Sequence, residues 1–456
     1  ITKTNGDEKH GIGIVGINQS EIENRGIIQI KGLGDTENIG VFLSDHSTGS
    51  TGTLGNTIPL VEVTGNKSTG VLATGNSNHV MAGNISVSGD NITGVVANNN
   101  SIVTLNGTGT IKVDNNGSVS NPLNGKGSYG IIINDVNSKF IGPNANVNVK
   151  IATDKSIGLY SKGELTVGNA NITAIDGAIN FLAAEGGDIR INGGNSVTGQ
   201  KSLLFYTSDN GANKGTITFG GATAATIKGG TTAGTRGTAF YYASTGSGYG
   251  MFDVTGIKNY FDNTFGTGVS GSSTLNHLTL NMEEGSRLFI ASNVKTDLSV
   301  ADTLTSSMSS IGTNSPTINP LGNYKTFMFY LSKLNIDQNV NLDNETDSFN
   351  QLEISNSSME NTKTINGSKI KQTAMAQENS DNDISKVILK NKNGAKIELS
   401  GDQSTGIYAK RGIIRNGGEI SIGKSSTGIY LVEDNGAIGS QGSVITNESS
   451  GIIKIG

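Results

Sequence analysis

Ser404-Thr405-Gly406-Ile407-Tyr408-Ala409 is followed by Ser426-Thr427-Gly428-Ile429-Tyr430-Leu431 and then by Ser450-Gly451-Ile452-Ile453, so that three glycines, 22 and 23 residues apart, each launch a short apolar run. The same phrase stands in the first third as Gly40-Val41-Phe42-Leu43, Gly70-Val71-Leu72-Ala73, Gly94-Val95-Val96-Ala97, Gly130-Ile131-Ile132-Ile133 and Gly158-Leu159-Tyr160-Ser161. A unit recurring every 22 to 36 residues cannot bury its apolar face alone and must stack on its neighbours. Stacked coils, rather than one enlarged core, are therefore expected.

Between these runs lie strands of strict alternation: Asn84-Ile85-Ser86-Val87-Ser88, Gly109-Thr110-Ile111-Lys112-Val113, Gly163-Glu164-Leu165-Thr166-Val167 and Gly418-Glu419-Ile420-Ser421-Ile422. Alternation sends every second side chain to one face. Gly-Asn, Asn-Gly and Asp-Asn pairs join the strands, and these residues tolerate the positive φ of sharp corners. Two or three strands per coil, stacked in register around an Ile/Val/Leu/Ala column, make an all-β parallel β-helix. With about 4.8 Å between coils, some twenty coils would extend roughly 100 Å. The pattern divides the chain into regular coils over 1–236, an irregular, loop-rich section with lateral insertions over 237–390, and regular coils again over 391–456. Within the middle section the polar stretch from Asp343 to Lys386 reads as looser coils or a lateral excursion.

Composition supports this reading and narrows the function. Of 456 residues 65 are Gly and 5 Pro, with neither Cys nor Trp. Only 34% are hydrophobic, which raises disorder as a rival, but the regularly placed Ile and Val clusters argue against it. A net charge of −5 with no basic stripe disfavours nucleic acid as a partner. Absence of Cys removes disulfides and thiolate metal sites and is compatible with export. The densest apolar run, Phe327-Met328-Phe329-Tyr330-Leu331, is far short of a membrane span, so the segment is not expected to be membrane-spanning itself. There is no initiator Met, signal peptide, barrel-like terminal segment or capping signal at either end, and a piece of a longer exported chain is expected.

Catalytic groupings are scarce. Gly11/Gly13/Gly16, Gly125/Gly127/Gly130 and Gly266/Gly268/Gly271 match the spacing of a dinucleotide fingerprint, but none is followed by the helix such a site needs. His10, His46, His79 and His277 lack ligand spacing. Glu283 and Glu284 are neighbours and would face opposite sides of a strand, while Asp381 and Asp383 fall in a polar turn-like stretch. Neither a G-x-S-x-G elbow nor a calcium-binding nonapeptide is present. No cofactor or metal is expected, and the chain does not read as an enzyme.

The best binding candidates are aromatic. Eight aromatic residues fall between 240 and 265, and of these Tyr241, Tyr242, Tyr249, Phe252 and Tyr260 are candidate ligand contacts, since rigid rings dominate interaction hot spots. The bland alternative is that the rings pack on one another. Ile257, Tyr260, Phe261 and Phe265 follow helical spacing, which predicts a short helix there. Lys410, Arg411 and Arg415 form a second, weaker candidate, a solvated coil face being the simpler reading.

The repeated S-T-G-I-Y phrase, with its G-x-I-x-I strands and N-G-G or D-N-G corners, resembles the passenger region of large fusobacterial type V autotransporter adhesins (RadD-like and relatives). The likeness covers residues 1 to 170 and 391 to 456 and rests on repeat style. It implies an outer-membrane-anchored, extracellular segment at the bacterial cell surface, monomeric, attaching the bacterium to other bacteria and to host cells through glycans or receptor proteins. It supplies no binding residues. The alternatives are a structural spacer with recognition elsewhere in the parent protein, and a β-helical polysaccharide-degrading enzyme.

Overall fold

The computed structural model describes residues 2–3, 10–52, 59–115, 127–152, 155–208, 214–244, 248–266, 274–306, 315–380, 383–433 and 442–456. The chain is an all-β parallel β-helix: among the described residues the strand pairings are parallel, and strands join their counterparts one coil on. It divides into two compact units. One comprises residues 1–240, 259–287 and 312–324, the other residues 241–258, 288–311 and 325–456.

A coil of the first unit has three strands, as in Thr69–Ala73, Asn78–Met81 and Asn84–Ser88, or in Thr93–Ala97, Ile102–Leu105 and Thr110–Asp114. From Lys139–Ala152 onward the second and third strands run together, and Glu164–Ile175 and Asp188–Thr198 continue this. In-register pairing turns the alternation into columns. Val61, Ile85, Ile111 and Val147 form one and Val63, Val87, Val113 and Val149 another, none more than 3% exposed. The aliphatic column of the sequence reading is the core.

The launching glycines are required by close approach and not by their torsions. A Cβ on Gly94 would lie 2.5 Å from the Gly130 carbonyl oxygen and 2.8 Å from Val113 Cγ2; on Gly70 it would meet the Gly94 oxygen at 2.5 Å and Ile85 Cγ2 at 2.7 Å. Each glycine thus lets the strand sit against both the next coil and the opposite wall. At Asn180 the glycine column ends. Its amide donates to the Ile172 and Val197 carbonyls, and Thr198 Oγ1 donates back at 2.9 Å. From there Phe181, Phe205 and Phe240 fill the wider interior, stacked a coil apart at 5.5 and 5.6 Å. Such contacts add about 0.5–1.5 kcal/mol each beyond area burial.

Ser and Asn make up the polar ladders. Ser47, Ser77 and Ser101 each donate a backbone N–H to the hydroxyl of the serine one coil on, at 3.0–3.2 Å. In the second unit Asn361, Asn391 and Asn416, all fully buried, pass an amide hydrogen bond from each to the next and on to Asn447. Buried polar groups are tolerated here because each is paired. Corners carry left-handed residues, stacked like everything else: His46 N–H donates to the Gly75 carbonyl and Asn76 N–H to that of Asn99.

The second unit narrows the expectation for 343–386. Turns and the short helix Ser348–Gln351 open the stretch, but Ser358–Asn361, Thr364–Gly367 and Thr373–Glu378 then make a coil in register with Ile388–Asn391, Lys396–Leu399 and Thr405–Lys410. Met359, Ile365 and Met375 point inward, and Ala374 takes the place of the launching glycine, which is why the phrase is hard to see. A side chain that reads as solvated also has a structural task. The Asp343 carboxylate accepts from the Ser368 hydroxyl and N–H, the Gln372 amide and Lys369 N–H, and these bonds hold it well below the usual carboxylate range.

Candidate functional site

The aromatic segment folds mostly inward. The predicted helix is present as Val254–Phe265, with Ile257, Phe261 and Phe265 buried. In the first unit Phe240, Phe261 and Phe265 lie 5.4–6.1 Å apart, and Tyr260 packs half-buried on Phe261 and Phe265. In the second, Phe252 is 1% exposed and wedged against Tyr242, Phe327 and Phe329. A ring sealed to that extent contacts core and no ligand, so Phe252 is corrected to a core residue. Tyr241 and Tyr242 are half-buried, and Tyr249 is 44% exposed. The five candidates are divided between the units, Tyr260 in the first and the other four in the second.

The remaining singled-out residues are scattered through the structure. Arg411 is nearly buried, with Glu433 3.9 Å away, and Lys410 and Arg415 stand on different strands. Glu283 pairs with Lys228, and Asp383 caps a short turn by accepting from Ser385 N–H. Gly13 and Gly16 lie on an extended strand, with Gly11 just before it. Asp381, Gly125, Gly268 and Gly271 fall outside the described residues. His10 faces Glu37 at 3.4 Å, His46 forms a corner and His277 Nδ1 lies 2.8 Å from the Phe219 carbonyl. His79 is in the core, over Gly49 of the neighbouring coil, with Nε2 3.2 Å from Thr51 Oγ1; burial pushes its imidazole down to about 4. Among the described residues no group of three or more His, Asp or Glu could hold a metal, and no helix is long and apolar enough to cross a membrane.

The feature that single-sequence reasoning missed is on the outside of the glycine-launched sheet. In Thr93–Ala97 the exposure runs partly exposed, buried, buried, partly exposed, buried. Both Gly94 and Val95 turn inward, so Thr93 and Val96 are outward neighbours three residues apart instead of two. The same sequence of burial recurs in Tyr129–Ile133 and Ile157–Ser161. Stacking then produces two outward rows, Thr93–Tyr129–Ile157 and Val96–Ile132–Tyr160, with a trough between them over the glycine backbone. It encloses about 530 Å³, with Asn91 and Asn134 also in its lining. Burial pushes the Tyr129 and Tyr160 phenols up, against the opposing charge of Lys162 beside Tyr160, and Lys162 pairs with Glu185 at 2.9 Å. Outward apolar residues continue along the sheet as Phe42, Leu72, Val96, Ile132 and Tyr160. The i, i+3 spacing of Thr93 and Val96 was the available signal, but it shows only once both residues between them are known to point inward.

Comparison with family models, curated proteins and solved structures returned no match.

Proposed function

We propose that this chain is an adhesive segment of an exported bacterial surface protein, holding its cell to other bacteria or to host cells through glycans or receptor proteins. The observation that carries the reading is the outward row Phe42, Leu72, Val96, Ile132 and Tyr160. These side chains face away from the column that stabilises the coils, so stacking does not require them to be apolar. Single apolar residues are ordinary on a protein surface, but a contiguous apolar row marks a contact site. The stacked coils supply a rigid support for such a surface, as repeat proteins do for their binding faces. The repeat style shared with fusobacterial adhesin passengers adds to it.

The purified chain, immobilised on beads, is expected to capture bacterial or epithelial cells and, added free, to block that capture. A chain that captures neither is a spacer. Release of reducing or unsaturated sugar ends from polysaccharide by the same preparation would replace adhesion with catalysis.

A further inference from the structure

We infer that the trough over Gly94, Gly130 and Gly158 binds a neutral oligosaccharide, lying along the stack with its sugar rings against Tyr129 and Tyr160. This deepens the adhesive reading and rests on it only for the source of the sugar, the surface of another cell.

The lining chooses the chemistry. None of its residues carries a formal charge, and Lys162, beside Tyr160, is paired with Glu185. An anionic glycan or nucleic acid would find no cation in the lining itself, and desolvating an unpaired charge is costly. A wholly apolar ligand would cover the Asn134 amide and the Thr93 hydroxyl without offering them partners. A pyranose meets both demands: its C–H face lies on an aromatic ring while its edge hydroxyls exchange hydrogen bonds with amides. The volume of about 530 Å³ falls in the range of roughly 300–1,000 Å³ typical of small-ligand sites. Three coils present about 10 Å of trough, which suits a chain of linked sugars better than one ring. The rings are held in place by half-burial between their row neighbours, Tyr129 between Thr93 and Ile157 and Tyr160 between Ile132 and Leu182.

The test is titration of the whole chain, followed by saturation-transfer NMR, with hexasaccharides of glucose, galactose, mannose and N-acetylglucosamine, with hexagalacturonate as the anionic probe and an uncharged Leu/Ala-rich peptide as the apolar one. At least one neutral hexasaccharide is expected to bind, with transfer onto the Tyr129 and Tyr160 ring protons. Tyr129→Ala and Tyr160→Ala should each weaken it about tenfold, and Tyr160→Phe, which keeps the ring, by less than about threefold. Both positions face outward, and an unchanged far-UV spectrum checks that the coils remain. Binding of no neutral hexasaccharide, equal binding by the alanine variants, or preference for hexagalacturonate or the peptide overturns the proposal. Cell capture by a Tyr129→Ala/Tyr160→Ala chain at wild-type strength would also overturn the trough as the adhesive site while leaving adhesion standing. Sugar binding without cell capture would support the trough and remove adhesion.

Discussion

Leu331 sits at φ 49°, in left-handed backbone that a branched side chain adopts at a cost of about 1–2 kcal/mol. The corner column holds it there: Asn293 N–H donates to the Tyr330 carbonyl, and Leu331 N–H to that of Ser355. Its partners in the column, Asn293 and Asn356, are the residue type that suits the conformation. Leu331→Asn is therefore expected to stabilise the second unit by about 1 kcal/mol, seen as a raised urea midpoint; a lowered midpoint would mean that the leucine side chain packs better than its backbone suffers. His79 makes the opposite case, a polar ring in an aliphatic column. Its imidazole titrates at about 4 when folded against 6.5 when unfolded. Between those values the unfolded chain binds the proton and the folded chain does not, so stability falls as pH drops below 6.5, by on the order of 1 kcal/mol at pH 5.5, and levels off near pH 4. His79→Val should abolish the His79 part of the difference between urea unfolding at pH 7.5 and at pH 5.5. An undiminished difference would show that another group is responsible. Residue types announced the Asn and Gly corners, whereas Glu37, Lys67, Leu331 and Arg411 also hold positive φ and nothing in their chemistry signals it. Those torsions are imposed by the neighbouring coil, which no local reading contains.

At the level of the strand, the launching phrase has two consequences from one cause. Because Gly94 and Val95 both turn inward, the strand can approach the opposite wall and its outer face opens into a trough. Gly94→Ala forces a methyl against the Gly130 carbonyl and Val113, an overpacking that should cost about 1–3 kcal/mol in urea unfolding of the first unit. An effect below a few tenths of a kcal/mol would show that the coils can shift apart. Ala374 stands in the equivalent position of the second unit and should respond in the reverse way, Ala374→Gly destabilising by about 0.5–1 kcal/mol through lost strand propensity. The phrase was legible wherever glycine is present. Where Asn180, Leu204, Ala239 or Ala374 replaces it the coil persists, since register and an inward apolar residue suffice. The aromatic segment followed the same physics: clustering in sequence marked a wider interior filled by rings, and of the five candidates only Tyr249 is exposed. The trough stayed hidden because it consists of spaces between side chains of three different coils.

Taken over the whole chain, both units repeat one construction: parallel strands in register, an apolar interior, Ser or Asn ladders at the bends and an outside free to specialise. Fold class was readable because each coil restates it, whereas the division into two units was not, since residues 259–287 and 312–324 belong with the first unit although they follow part of the second. The central claim is in-register parallel stacking, and the cysteine-free sequence allows a clean test of it. Cysteine pairs at Ser86 and Lys112 in the first unit and at Glu398 and Ser421 in the second, each an outward pair one coil apart, should form intrachain disulfides on mild oxidation of the folded protein. Pairs displaced by two residues along the same face, Ser86 with Thr110 and Glu398 with Glu419, lie about 7–8 Å apart and should not. Rapid oxidation of the in-register pairs alone is the predicted result; equal or faster oxidation of the displaced pairs would contradict the stacked-coil account.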